Sequence, residues 1–256
     1  MQEINWIDRA INSELEFSKA SLSQPVHYAN FIHIHNPYVP WGGDFNRAVG
    51  VKITTFQSFN DILRRVEEIH QEKGLDQPDR FDIQPPVLDE TQWHDYLDQK
   101  GFRLHTAIFF FAHAKEAILP DSFTLYNPSV DEYLAWYSEL AKSGGYYDEE
   151  WYKQHLPLKV NFIKVFKPYW LLKNKEQVGW VYSANLEVYT RLFEVEINQQ
   201  FQAQGMGRLL LQAIRNEGYK QGAEHVLLQA NDRLKPFYLK SGFQECTKNS
   251  IIRRKQ

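Results

Sequence analysis

The spacing of apolar positions changes period several times along the chain, and each change marks an element. Phe59, Ile62, Leu63, Val66 and Ile69 recur at three- and four-residue steps, which is one face of a helix, and Gly74 stops the run. Trp6–Ala20 and roughly Thr91–Gln99 also read as helices, the second ended by Gly101. The runs "YANFIHIH" (28–35), "RAVGVKI" (47–53), "RFDIQ" and "FRLHTAIFFFA" read as strands. The first two are joined by "NPYVPWGGDFN", whose two Pro and two Gly make it a loop. Strand–helix–strand–helix–strand is the order of an α/β layer.

After a Pro-containing bridge, "ILPDSF", the pattern starts again. A short strand "TLY" precedes helices predicted over Val130–Lys142 and Asp148–His155. Two long strands follow, "VNFIKVFKPYWLL" and "QVGWVYSANLEVYT", joined by the polar turn "KNKE" as an antiparallel hairpin. "RLFEVEI" is a further strand leading into "NQQFQAQGMGRLLLQAIRNEG". There Met206, Leu209, Leu210, Ala213 and Ile214 share a helical face, and Gly218 or Gly222 ends the helix. "EHVLLQA", "NDRLKPFYLKSG" and "FQECTKNSII" complete the pattern as strand, helix and strand. The two halves end alike, "YLDQKGFRLHTAIFF" against "YLKSGFQECTKNSII", which predicts a duplication with domains at 1–118 and 119–256.

Composition narrows the partners. A net charge of −3 over 256 residues gives no electrostatic reason to expect nucleic acid or an anionic membrane. The most apolar stretch, "TAIFFFA", is too short to span a bilayer, and the N-terminus has no basic start followed by an apolar run, so a cytoplasmic location is expected. The single cysteine, Cys246, excludes an internal disulfide and has no nucleophile signature around it. His33 and His35 share one strand face without a third ligand spaced nearby, so no metal is expected.

The stretch "QAQGMGRLL" raises the chemical question. It is neither a P-loop, because Arg208-Leu209 follows the second glycine, nor a dinucleotide fingerprint, because Leu210 stands where a third small residue is needed. Glycines at a helix start serve two ends. They let unpaired backbone N–H groups approach an anion, or they simply permit tight packing.

The flanking residues bear on that choice. "VEINQQFQAQGMGRLL" resembles the acyl-CoA-binding motif of the GNAT superfamily of N-acyltransferases, Gln/Arg-x-x-Gly-x-Gly/Ala at a helix start, matched by Gln202, Gly205 and Gly207. "NDRLKPFYLKSGF" supplies that family's later Asn, Tyr and Gly-Phe as Asn231, Tyr238 and Gly242-Phe243. The resemblance covers roughly residues 119–256. It implies a tandem GNAT-like fold of the α/β (α+β mixed sheet) class, with a central mixed sheet flanked by helices and a splayed strand pair at the cofactor site. The first half has no such glycine motif and carries Leu97 where the second has Tyr238, so it resembles a degenerate copy. Such a half is expected to wall the acceptor pocket.

By the same resemblance, Val195, Glu196 and Ile197 pair with the pantetheine arm of acetyl-CoA. Gln202, Ala203, Gln204, Gly205, Met206, Gly207 and Arg208 wrap its pyrophosphate, and Asn231 helps hold it. Tyr238 lies near the thioester sulfur as the acid. Glu194 and Glu196, alternating to one face of their strand, are the candidate bases. Gln202 in place of the commoner Arg removes a charge, Gln199 stands where Pro is frequent, and Pro236 sits in the first turn of its helix if Asn231 or Asp232 caps it. The expected activity is transfer of acetyl from acetyl-CoA to a primary amine of a small molecule or a protein. A non-catalytic acyl-CoA-binding or docking module is the alternative. Aminoacyl-tRNA-dependent transferases share tandem folds of this kind, but the intact cofactor motif and modest charge argue against them.

Overall fold

A computed structural model describes residues 5–39, 44–87, 89–142, 149–186 and 188–255. Pro40–Gly43 of the predicted loop, Asp148 of a predicted helix and Glu187 of a predicted strand lie outside the described residues. In chain order the elements are α1 (Trp6–Ala20), β1 (Gln24–His27), β2 (Ile32–His35), β3 (Arg47–Val51), α2 (Phe56–Lys73), β4 (Arg80–Ile83), α3 (Glu90–Gln99) and β5 (Phe102–His113). They continue as β6 (Phe123–Tyr126), α4 (Val130–Lys142), α5 (Glu149–Val165), β7 (Lys167–Lys173), β8 (Glu176–Leu186), β9 (Tyr189–Ile197), α6 (Met206–Lys220), β10 (His225–Asn231), α7 (Lys235–Lys240) and β11 (Gln244–Arg254).

The chain forms two compact units, and the division is not one cut. The first comprises Met1–Phe109, Ala230–Lys235 and Glu245–Gln256; the second comprises Phe110–Gln229 and Pro236–Gln244. In the first unit the strand order is β1-β2-β3-β4-β11-β5, antiparallel from β1 to β3, with β3 and β4 parallel across α2. β11 pairs antiparallel with β4, Ile252 opposite Phe81, so the last strand of the chain completes the sheet of the first unit. The core there is aromatic. Phe59 of α2 meets Phe81 and Phe102 edge-on, with ring centroids 5.5 and 5.9 Å apart. Both contacts have the geometry in which ring quadrupoles attract.

In the second unit the order is β5-β10-β9-β8-β7-β6. β6 to β9 form an antiparallel meander, and β10 returns parallel to β9 across α6. β3–α2–β4 and β9–α6–β10 are thus the same crossover made twice. Asn174 and Lys175, both at positive φ, form the tight turn between β7 and β8 that "KNKE" predicts.

Several expected boundaries moved. "YANFIHIH" is not one strand: β1 precedes it and β2 starts only at Ile32. Val160–Val165 is helical rather than extended. Leu158, Phe162, Ile163 and Phe166 are all buried, a helical stripe that overrides the strand preference of Val and Ile. The predicted strand "QVGWVYSANLEVYT" is split between β8, which ends at Leu186, and β9, which starts at Tyr189. α6 runs past Gly218, whose missing Cβ leaves room for Thr190, and stops before Gly222 at φ 84°. Pro236 falls in the first turn of α7. His33 is fully buried beside both His35 and His70, with ring centroids 5.9 and 5.1 Å away.

Candidate active site

The site grows from the strand β9. Its pairing with β10 covers only Tyr189, Thr190 and Arg191, opposite His225, Val226 and Leu227, and beyond that both strands run on without each other. On its other edge β9 pairs with β8 but slips register: Phe193 faces Tyr182 and Glu196 faces Trp180, so Val181 has two residues opposite it. The extra residue lies at Glu194, whose φ of 49° is a β-bulge conformation. Simple alternation of Glu194 and Glu196 to one face is therefore replaced by a bulge that puts Phe193 and Glu196 in register with Tyr182 and Trp180.

Where the strands part, a cleft of about 110 Å³ opens, lined by Arg191–Val195, Leu228, Gln229 and Tyr238. Tyr238 is only 5% exposed and rests on Phe110, ring centroids 5.3 Å apart. Burial pushes its hydroxyl up to about 12, against a smaller opposing pull from Arg191, so it stays protonated at neutral pH. No described side chain or backbone group hydrogen-bonds that hydroxyl. Glu194 and Glu196 are exposed. The Glu196 carboxyl is held above its ordinary value, first by local desolvation and then by the neighbouring Glu194 carboxylate. The Glu196 shift moves that carboxyl toward neutral pH, whereas the Tyr238 shift keeps its phenol a hydrogen-bond donor.

β9 then leads through one turn of 3₁₀ helix, Gln199–Phe201, to the glycine turn. Ala203 and Gly205 both have positive φ, 59° and 82°, and Gly205 caps α6 without any side-chain hydrogen bond. A Cβ at Gly205 would meet nothing within 4 Å, so its glycine answers to backbone conformation and not to packing. Gly207 differs, since a Cβ there would come within 3.0 Å of the Phe237 ring. The packing explanation thus accounts for Gly207 but not for Gly205. The N–H groups of Ala203, Gln204, Gly205, Met206 and Gly207 donate to no protein acceptor, and 202–205 are exposed. The Gln202 and Gln204 amides reach back to the carbonyls of Ile197 and Gln200, at 2.9 and 2.8 Å, and leave those N–H groups open. Five N–H groups without an acceptor among the described residues thus stand on one turn at a helix N-terminus, where anions are favoured.

Asn231 belongs to the other compact unit, where its side-chain oxygen accepts from the Leu234 N–H at 3.3 Å. A larger cavity of about 490 Å³ in the first unit is lined by Thr54, Thr55, Phe56 and Trp93 among others. It lacks the open amides, because Thr55 and Ser58 already cap α2. Among the described residues no group of His, Cys, Asp and Glu is placed to hold a metal ion, and no helix is long and apolar enough to cross a membrane. Sequence reading missed Lys159, which α5 brings to the bulge. Its only signal was a lysine set directly after Leu158 on an otherwise apolar stripe.

Comparisons with known proteins agree with this geometry. Residues 142–254 match the model of the acetyltransferase (GNAT) domain. The fold is similar to a GCN5-related N-acetyltransferase from Kribbella flavida, at 12% identity over 96% of this chain and 94% of that one, TM-score 0.66. It is also similar to a functionally unknown conserved protein from Staphylococcus epidermidis ATCC 12228, at 15% identity over 91% and 95%, TM-score 0.71. A tandem GNAT protein from the clavulanic acid biosynthesis pathway aligns over 96% of this chain and 92% of its own, at 11% identity and TM-score 0.54. No curated protein sequence matches the chain. The architecture is therefore a tandem GNAT fold.

Proposed function

We propose that this protein is an N-acetyltransferase that moves acetyl from acetyl-CoA to a primary amine by direct attack, in the cytoplasm. The part spanning 119–256 carries the reaction, and 1–118 is a degenerate copy without cofactor chemistry. The observation that carries the reading is the run of five unpaired N–H groups at Ala203–Gly207, continuous along the chain with the splayed end of β9. Those amides, with Gln202 and Arg208 flanking them, would hold the pyrophosphate. The freed edge of Val195–Ile197 would pair with the pantetheine amides as an added strand. Asn231, whose side-chain nitrogen has no described partner, is proposed as a further cofactor contact. The bound thioester supplies the electrophile.

The chain's own groups then handle protons. Glu196, or Glu194 through a water, takes a proton from the acceptor ammonium so that a neutral amine attacks. The raised Glu196 value brings it nearer the operating pH. The Tyr238 hydroxyl faces the leaving sulfur. A phenol at about 12 giving its proton outright to a thiolate of pKa about 8.5 is uphill by roughly 5 kcal/mol. Tyr238 therefore acts chiefly as a hydrogen-bond donor that stabilises the developing thiolate, and the proton that ends on sulfur comes from the amine. Positioning supplies the larger share, up to about 7–11 kcal/mol, against about 10²–10⁴-fold for acid–base assistance.

Calorimetric titration with acetyl-CoA, followed by thiol release across an amine panel, tests the reading. Binding with turnover is expected. Binding without turnover on any amine would make the protein an acyl-CoA-binding module, and no binding would overturn both.

A further inference from the structure

Next to the bulge the second unit carries a lysine that makes no ion pair among the described residues. α5 turns Leu158, Phe162, Ile163 and Phe166 into the core, and Lys159 rides the edge of that stripe. Its Nζ lies 5.2 Å from the ring centroid of Tyr182, 5.3 Å from that of Tyr137 and 5.5 Å from that of Phe162. Tyr182 is the residue opposite Phe193 in the β8–β9 ladder, immediately before the bulge, and a 2.7 Å hydrogen bond to the Tyr133 hydroxyl fixes it. The ammonium therefore stands beside the strand segment that walls the cleft.

Among the described residues Lys159 makes no ion pair and no hydrogen bond. Burial draws its pKa below the ordinary lysine value, and the one charge opposing that effect is Glu194. Each cation–π contact returns about 0.5–2 kcal/mol. Lys159 is half-buried, and partial removal of an ammonium from water is a cost that rings alone compensate poorly. The arrangement is one half of a charge pair.

We propose that Lys159 recognises an anionic group on the acceptor, and that the acceptor is an amine bearing a carboxylate, as a free amino acid does. This rests on the acetyl-transfer reading above. The acceptor ammonium meets Glu194 and Glu196 while its carboxylate meets Lys159, so opposite charges at the two ends orient the amine toward the thioester. A single ammonium with no arginine fork among its contacts matches one negative charge better than a phosphate. The aromatic walls favour a compact acceptor with an apolar body.

The test uses amino acids of different amine-to-carboxylate spacing, each matched with its carboxamide, on the wild type, Lys159→Met and Lys159→Arg. Acetyl-CoA affinity is measured by calorimetry on the same proteins. The wild type is expected to prefer the acid of at least one pair by 10- to 100-fold in kcat/KM. Lys159→Met should erase that preference through KM, Lys159→Arg should retain part of it, and acetyl-CoA affinity should be equal in all three. Equal kcat/KM for acid and carboxamide in every pair, with acetyl-CoA bound, would overturn the carboxylate assignment and leave acetyl transfer standing. The same holds if Lys159→Met keeps the preference. Failure of the wild type to bind acetyl-CoA would overturn both. If no pair is turned over, quenching of tryptophan fluorescence reads the affinity for the same pairs, and equal affinities would again overturn the assignment.

Discussion

α2 and α6 each follow a strand and each lead to a parallel neighbour, yet their first turns are finished in opposite ways. At the start of α2 the Thr55 hydroxyl accepts from the Ser58 N–H at 3.1 Å, and the Ser58 hydroxyl accepts from the N–H groups of Thr55 and Thr54 at 3.1 and 3.2 Å. The strands beside it stay paired: β3 and β4 shift register after Ala48 but meet again at Val51 and Ile83, and the Gln84 N–H donates to the Val51 carbonyl at 3.1 Å. At the start of α6 no side chain caps the helix, and β9 leaves β10 after Arg191. The same crossover is closed with its own side chains in one unit and held open in the other. With glycine as its N-cap this helix end gives up only a few tenths of a kcal/mol relative to a Ser or Thr cap. Its retention beside a glycine at positive φ argues that the open donors have a ligand.

The strongest way to break this contrast is to transplant the closed cap. Gly205→Thr with Arg208→Ser places the α2 pair at the N-cap and third helical positions of α6. Acetyl-CoA affinity in calorimetry is expected to fall at least 100-fold, with the second unit still folded by circular dichroism. Tyr238→Phe comes next, with kcat expected to drop about 10²-fold and acetyl-CoA affinity unchanged, as stopped-assay kinetics would show. Undiminished turnover would remove Tyr238 from the mechanism.

A third difference between the units is their response to acid. His33, buried against His70, His35 and Lys73, has its pKa drawn down to about 3, mainly by burial. The unfolded chain binds a proton there below about pH 6.5 and the folded chain does not. Stability of the first unit is therefore complete above that pH and falls as pH drops toward 3, by up to about 1.4 kcal/mol per unit. Chemical denaturation at stepped pH should show this slope, and His33→Leu should flatten it. The smallest effect is expected from Thr55→Ala, a loss of about 1 kcal/mol in denaturant unfolding with acetyl-CoA binding untouched.

The sequence shows the crossover helices plainly, because Phe59 to Ile69 and Met206 to Ile214 repeat at helical spacing with glycines close behind. Val160–Val165 was misread because a short apolar run fits a strand or a buried helix equally, and only tertiary burial of Phe162 and Phe166 decides. The placement of β11 beside β4 left no local trace, since strand order depends on partners 160 or more residues away. In the candidate site, the helix start at the glycine turn was legible through spacing, and Tyr238 entered through the family resemblance. The Glu194 bulge was not, because no glycine or proline marks it. Nor was the grouping of His33 and His35 with His70, which sits in the last turn of a helix 35 residues on.

The most direct measurement follows the backbone amides by ¹⁵N-resolved NMR during titration with acetyl-CoA. The account predicts saturable shifts at Ala203–Gly207 and still resonances at Thr54–Ser58. Saturation that leaves Ala203–Gly207 unmoved, or that moves both turns alike, would contradict it.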